Sequence, residues 1–127
     1  MNVLFLGISS YFKREFNELI KFNNAKAHFA NDKDEAIGIL NSIKIDLIVI
    51  DFPILRIYSL INYIYEFHDN IDVILSTDKN TNEFLTLMRT RDYYVLQQPY
   101  SLTKLQEYLD KQIGKKEETN VSDSNQF

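Results

Sequence analysis

The feature that most constrains the fold is an unbroken apolar run, Leu47 to Ile50, that ends in the carboxylate of Asp51. Three of its four residues are β-branched. A strand that is apolar on both faces belongs inside a sheet covered on both sides, which is usually a parallel sheet. In open sheets of this kind, ligands bind outside the carboxyl ends of the strands. The run therefore predicts that Asp51 lies at an edge suited to binding or chemistry.

The bulk composition bounds the class of protein. The chain has 127 residues, of which 45% are hydrophobic and 25% charged, as in an ordinary globular domain. The absence of cysteine excludes disulfides, thiolate metal sites and a cysteine nucleophile. The net charge of −4 and the scattered basic residues do not favour a nucleic-acid surface. We expect a cytoplasmic protein, because neither a signal peptide nor a membrane span is recognisable.

Strand-like and helix-like segments alternate along the chain. The predicted strands are Val3–Leu6, Ala27–Ala30, Leu47–Ile50, Asp72–Thr77 and Tyr94–Gln97. Helical spacing of apolar residues predicts helices from Tyr11 to about Phe22, after Asp32, from about Leu55 to His68, from about Asn82 to Arg91, and after Ser101. This alternation predicts right-handed βαβ units and a parallel sheet. The first, third and fourth strands are the most apolar, which predicts a flavodoxin-like (βα)5 domain with strand order 2-1-3-4-5.

Three local predictions accompany this topology. Asp32 and Glu35 have capping-box spacing, with an N-cap oxygen and a carboxylate three residues later. The predicted core stripe of the third helix consists of Ile57, Leu60, Ile61, Ile64 and Phe67. Beyond Gly114 the sequence is polar and aperiodic, which predicts a domain over residues 1–114 and a disordered tail over 115–127.

The polar residues at the predicted strand ends follow a known pattern. The run Asp46–Asp51 ends in an aspartate, Ser76 lies at the end of the fourth strand, and Gln98-Pro99 follows the fifth. In this order, over residues 2 to 114, the chain resembles the receiver (CheY-like) domain of bacterial two-component response regulators. The resemblance implies that Asp51 is the phospho-acceptor and that Ser76 contacts the phosphoryl group. It places Gln98 where the family has a lysine.

The chain also departs from the family pattern. The family's first strand ends in two acidic residues that help to hold Mg²⁺, and here the matching positions are Gly7 and Ile8. Neither side chain can ligate a hard cation. Asp32, Asp34 and Asp78 do not fall at family ligand positions. We therefore expect weak or absent Mg²⁺ binding, no other cofactor, and no enzymatic activity.

Three functional hypotheses follow. The favoured one is an atypical pseudo-receiver in signal transduction that acts through protein–protein contacts, with impaired or absent Mg²⁺-dependent phosphorylation. The first alternative is a working receiver, phosphorylated on Asp51 by a histidine kinase in a phosphorelay. The second is a small-ligand-binding domain that uses the loop Gly7–Ser10 at a helix N-terminus, although that loop lacks a Gly-rich fingerprint.

The implied partner is a signalling protein, either a histidine kinase or a separate output protein. By analogy with receivers, a homodimer through the last helix and Tyr94 is a further prediction. We expect no nucleic acid and no membrane among the partners.

Overall fold

The computed structural model describes residues 1–7, 13–14, 17–18, 25–51, 54–77, 82–97 and 106–111. Its elements, in chain order, are β1 (Asn2–Leu6), β2 (Lys26–Ala30), α1 (Lys33–Ser42), β3 (Leu47–Asp51), α2 (Ile54–Phe67), β4 (Asp72–Thr77), α3 (Asn82–Thr90) and β5 (Tyr94–Gln97). Residues 13, 14, 17, 18 and 106–111 are also helical. Among the described helices, none has the length and apolarity needed to span a membrane. The predicted tail over 115–127 lies outside the described residues.

The five strands form one parallel sheet in the order β2-β1-β3-β4-β5. This order confirms the prediction made from the relative apolarity of the strands. β3 occupies the centre, with Ile50 paired to Leu6 of β1 and to Leu75 of β4. Because all strands point the same way, their carboxyl ends meet at one edge of the sheet.

The sheet is covered on both faces, as the apolar run of β3 requires. Ile48 and Ile50 belong to a core cluster on the face covered by α1, α2 and α3. Leu47 and Val49 belong to a second cluster on the opposite face, which includes Leu109 of the helical segment 106–111. Successive side chains of a strand point to opposite faces, so an uninterrupted apolar strand can supply both clusters. The residues Leu47 to Ile50 are at most 1% exposed.

The start of α1 is fixed by the predicted pair of carboxylates. The backbone N–H of Glu35 donates to Asp32 Oδ1 at 2.8 Å. Glu35 Oε2 in turn accepts from the backbone N–H of Asn31 at 2.6 Å. The first bond satisfies an amide group that the first turn of a helix leaves without a partner, and the second ties the residue before the N-cap to the helix. The capping prediction is confirmed, with Glu35 reaching one residue before the N-cap.

A polar network joins the amino ends of three strands, at the pole opposite Asp51. The backbone N–H of Asn2 donates to Asp46 Oδ2 at 2.8 Å, and Asn2 Nδ2 donates to the carbonyl of Lys44 at 3.0 Å. His28 Nε2 lies 3.1 Å from Asn2 Oδ1. The amide oxygen can only accept, so His28 donates here through Nε2. Burial, and then the charge of Lys26, lower the pKa of His28.

Phe67 was predicted to belong to the core stripe of α2, and this prediction was wrong: its side chain is 63% exposed. The reason is the unequal length of the neighbouring helices. The hydroxyl of Tyr63 donates to Asn41 Oδ1 at 2.8 Å, and α1 ends one residue later, at Ser42. Phe67 lies one helical turn beyond Tyr63. The last turn of α2 therefore extends past α1, and α1 does not cover it.

The carboxyl end of α3 forms a Schellman motif with an aspartate in the position usually taken by glycine. The N–H of Tyr93 donates to the carbonyl of Met88 at 2.8 Å, and the N–H of Asp92 donates to that of Arg89 at 2.9 Å. Met88 and Tyr93 are both buried in the same core cluster, which supplies the apolar contact of this motif. Asp92 has a φ of 61°, in the left-handed region that favours glycine.

Replacement of Asp92 by glycine is expected to stabilise the protein. The substitution removes the left-handed penalty and an anion at the negative end of a helix, for a gain of about 0.5–1 kcal/mol. Thermal unfolding followed by circular dichroism should show a midpoint about 2–4 °C higher. Asp92→Asn is the matched control, because it removes the charge but keeps a side chain. An Asn variant as stable as the Gly variant would assign the whole gain to charge.

Candidate functional site

Asp51 and Ser76 are brought together at the carboxyl edge of the sheet. Asp51 is the last residue of β3, and it pairs in register with Ser76 of β4. Val49 and Ile74, two residues earlier on each strand, belong to the same core cluster. Because side chains two residues apart share a face, Asp51 and Ser76 point to the same side of the sheet. Neighbouring strands are separated by about 4.8 Å, so the two side chains are direct neighbours.

The two side chains differ in their access to solvent. Ser76 is 2% exposed, and it is the buried polar residue within the described part of the chain. Asp51 is half-buried at the end of its strand. A buried hydroxyl is costly unless it is hydrogen-bonded, so Ser76 is a fixed polar group rather than a free rotor. The arrangement is a half-buried carboxylate beside a buried hydroxyl, two oxygen-bearing groups on adjacent strand ends.

Gly7 occupies the end of β1 on the other side of Asp51. Leu6 pairs with Ile50, so Gly7 lies at the level of Asp51. Its φ is 82°, and its N–H donates to the carbonyl of Ala30 at 3.4 Å. A residue with a Cβ is strained at this φ. The backbone at this position therefore favours glycine, although an aspartate can adopt a positive φ, as Asp92 does in this chain.

Asp32 and Asp34 follow the carboxyl end of β2, and neither forms a metal-binding group with Asp51. The carboxylate of Asp32 caps α1, and Asp34 is exposed in the first turn of that helix. Across the described ranges, no group of three or more His, Asp and Glu side chains is arranged to hold a metal ion. Ile8, Gln98 and Asp78 lie outside the described residues, as does most of the loop considered for a small ligand. The structure thus joins Asp51 with Ser76 and leaves the position of Gln98 a prediction.

Solved structures that align with this chain include receiver domains of response regulators. A CheY-like receiver domain protein from Methanospirillum hungatei aligns with a TM-score of 0.74 and 12% identity, over 93% of this chain and 97% of that chain. An orphan response regulator of H. pylori aligns with a TM-score of 0.75 and 19% identity, over 89% and 96%. The non-phosphorylated HemR receiver domain from Leptospira biflexa gives 0.75 and 15%, over 88% and 93%. The chain has the receiver-domain fold.

These matches rest on shape and not on sequence. No protein-family model matches the sequence, and no curated protein is similar to it. At these low identities the structural alignments show the fold alone, and the sheet of this chain has the predicted strand order. The chemistry of this particular receiver fold has to be inferred from its own residues at the carboxyl edge.

A pair of identical substitutions tests the backbone requirement at Gly7. Gly7→Ala should destabilise the protein by about 1 kcal/mol, because alanine is strained at a positive φ. Gly38→Ala should stabilise it by about 0.5–1 kcal/mol, since Gly38 lies within α1 and the added Cβ would meet nothing within 4 Å apart from the adjoining residues and backbone of its own helix. Urea unfolding measures both changes. A neutral Gly7→Ala variant would contradict the backbone requirement at Gly7.

Proposed function

We propose that the protein is an atypical receiver domain of signal transduction, which acts by contact with a separate signalling protein. It does so in the cytoplasm, without enzymatic activity and without Mg²⁺-dependent phosphorylation. The observation that carries this proposal is the conformation of Gly7. A backbone that favours glycine beside Asp51 supports a pocket that does without the acidic metal ligand of ordinary receivers.

The charges available to the pocket support the same proposal. Phosphoryl transfer depends on positive charge around the oxygens of the transferred group. Mg²⁺ commonly supplies that charge and is bound through carboxylates and the phosphate itself. In this chain Gly7 and Ile8 offer no carboxylate, and Gln98 replaces the family's lysine by a neutral amide. The missing carboxylates would bind the metal ion, and the missing lysine would itself supply positive charge. All the missing groups therefore served the same purpose, which is to neutralise a phosphoryl group.

The proposed partner is a histidine kinase or a separate output protein. With Asp51 unmodified, the surface that meets this partner is held in one state. Self-association, as a homodimer through Tyr94 and the helical segment 106–111, is proposed alongside the contact with a separate protein. In that region the rings of Tyr94 and Tyr108 are stacked, with centroids 3.6 Å apart.

Beryllofluoride with Mg²⁺, which mimics a phosphoryl group, tests the proposal directly. In an NMR titration of backbone amides, we expect no shifts centred on Asp51, because the cation ligands are missing. The double variant Ile8→Asp with Gln98→Lys is the matched control, since it restores one acid and the lysine. It should respond more strongly than the natural chain. Saturable shifts around Asp51 and Ser76 in the natural chain would overturn the proposal.

The paired geometry of Asp51 and Ser76 favours one second candidate, a working phospho-acceptor. An accessible carboxylate beside a buried hydroxyl is sufficient to form the acyl phosphate if a cation comes from elsewhere. Intact-mass measurement after incubation with acetyl phosphate, or with a histidine kinase, separates the two candidates. Our proposal predicts no added phosphoryl group. A phosphoryl adduct that is absent in Asp51→Asn would establish the second candidate instead.

A further inference from the structure

The last turns of α2 present aromatic side chains to solvent. Tyr65 is 49% exposed and Phe67 is 63% exposed, and these are the exposed large hydrophobic residues of the described chain. Helix α2 starts after the carboxyl end of β3 and runs back across the sheet, so Phe67 lies at the pole opposite Asp51. Residues two apart on a helix point about 200° apart, so the two rings lie on different flanks of α2. Both are separate from the candidate site at the carboxyl edge of the sheet.

The two rings are not equally open. The guanidinium of Arg91 lies over the ring of Tyr65, with Cζ 4.7 Å from the ring centroid. A cation on the face of an aromatic ring is a favourable contact within the protein. Phe67 instead packs at an angle of 44° against Tyr63, with centroids 5.1 Å apart, and more than half of its surface faces solvent. Phe67 is therefore the side chain available to a partner.

Phe67 is also held in place by its surroundings. The hydroxyl of Tyr63 is anchored on Asn41 at 2.8 Å, and its ring lies 5.4 Å from the ring of His68. Tyr63 is thus fixed between α1 and the end of α2, and it gives Phe67 a rigid support. A preorganised side chain loses less conformational entropy when a partner binds.

The charged residues next to Phe67 in the sequence are acidic, and the guanidinium of Arg91 lies over Tyr65 on the other flank of the helix. Glu66 and Asp69 flank it and are exposed, and from Tyr58 to Asn70 the sequence contains no Lys or Arg. Neither Glu66 nor Asp69 forms an ion pair with any residue in the described ranges. A second copy of this chain, packed by two-fold symmetry on Phe67, would bring these carboxylates close to their own copies. Such like-charge contacts oppose association, whereas a basic partner is attracted.

We propose that Phe67, supported by Tyr63 and flanked by Glu66 and Asp69, docks a segment of a partner protein that carries an apolar anchor between Lys or Arg side chains. The anchor packs on the open face of Phe67, and the basic groups pair with the two carboxylates. The proposal extends the proposed role as a contact module. It concerns the pole opposite Asp51, so the result of the beryllofluoride titration leaves it unaffected.

Two synthetic amphipathic helical peptides provide the probe. They share the same leucine face, and their polar faces carry either lysine or glutamate. Backbone-amide NMR of the whole chain should show shifts at the last turn of α2 with the lysine peptide, and none with the glutamate peptide. Phe67→Ser should weaken binding of the lysine peptide at least tenfold. Tyr65→Ser, on the flank covered by Arg91, is the matched control and should retain binding within twofold.

Charge reversal completes the test. Glu66→Lys combined with Asp69→Lys should exchange the preference, so that the glutamate peptide binds and the lysine peptide does not. Equal binding of both peptides to the natural chain, shifts centred elsewhere, or full binding by a folded Phe67→Ser variant would overturn the proposal. Sedimentation of the chain alone is the remaining check. A dimer that Phe67→Ser dissociates would assign the surface to a second copy and overturn the proposed partner.

Discussion

Burial of β3 on both faces is the constraint on which the rest of the structure depends. Residues Leu47 to Ile50 alternate between two core clusters. Helices must therefore cover both faces of the sheet to exclude water from these side chains. Parallel strands connected by helices satisfy this requirement, because each crossover returns the chain to the same edge. The carboxyl ends are then gathered on one side. Asp51 is the first residue of the strand that escapes full burial, and Ser76 on the neighbouring strand lies beside it.

The parts of the fold that sequence could predict are those that each segment encodes by itself. Strand order followed from comparing the apolarity of whole strands, and the α1 cap followed from Asp32 and Glu35, which interact over three residues. The exposure of Phe67 could not be predicted in this way. Helical periodicity gives the face on which Phe67 lies, but its cover depends on where a different helix, α1, comes to an end. The Schellman motif could not be predicted either, because the glycine that usually marks it in a sequence is replaced by Asp92.

The candidate site likewise has a part that the sequence predicts and a part that depends on the folded structure. The place of Asp51 is a consequence of topology, and pairing with Ser76 requires only that two adjacent strands end at similar levels. The chemistry depends on what surrounds that pair. A glycine after β1 was visible in the sequence as a missing ligand, but its positive φ is a property of the folded turn and of its bond to Ala30. The sequence showed that an acid was absent at Gly7, and the structure adds that the backbone there has a positive φ, which favours glycine.

Helix α2 connects the two poles of the molecule, which bears on how a contact surface can work without phosphorylation. It begins three residues after Asp51 and ends at Phe67, and its 14 residues span about 21 Å. A signal passing along it would require two arrangements of α2 against its neighbours. Lys33 Nζ donates to Ser59 Oγ at 3.3 Å, and Tyr63 donates to Asn41, so two bonds to α1 hold the helix at separate levels. Under the proposed role as a contact module, a helix held in this way would display the surface at Phe67 constantly, and regulation would then depend on whether the partner is present.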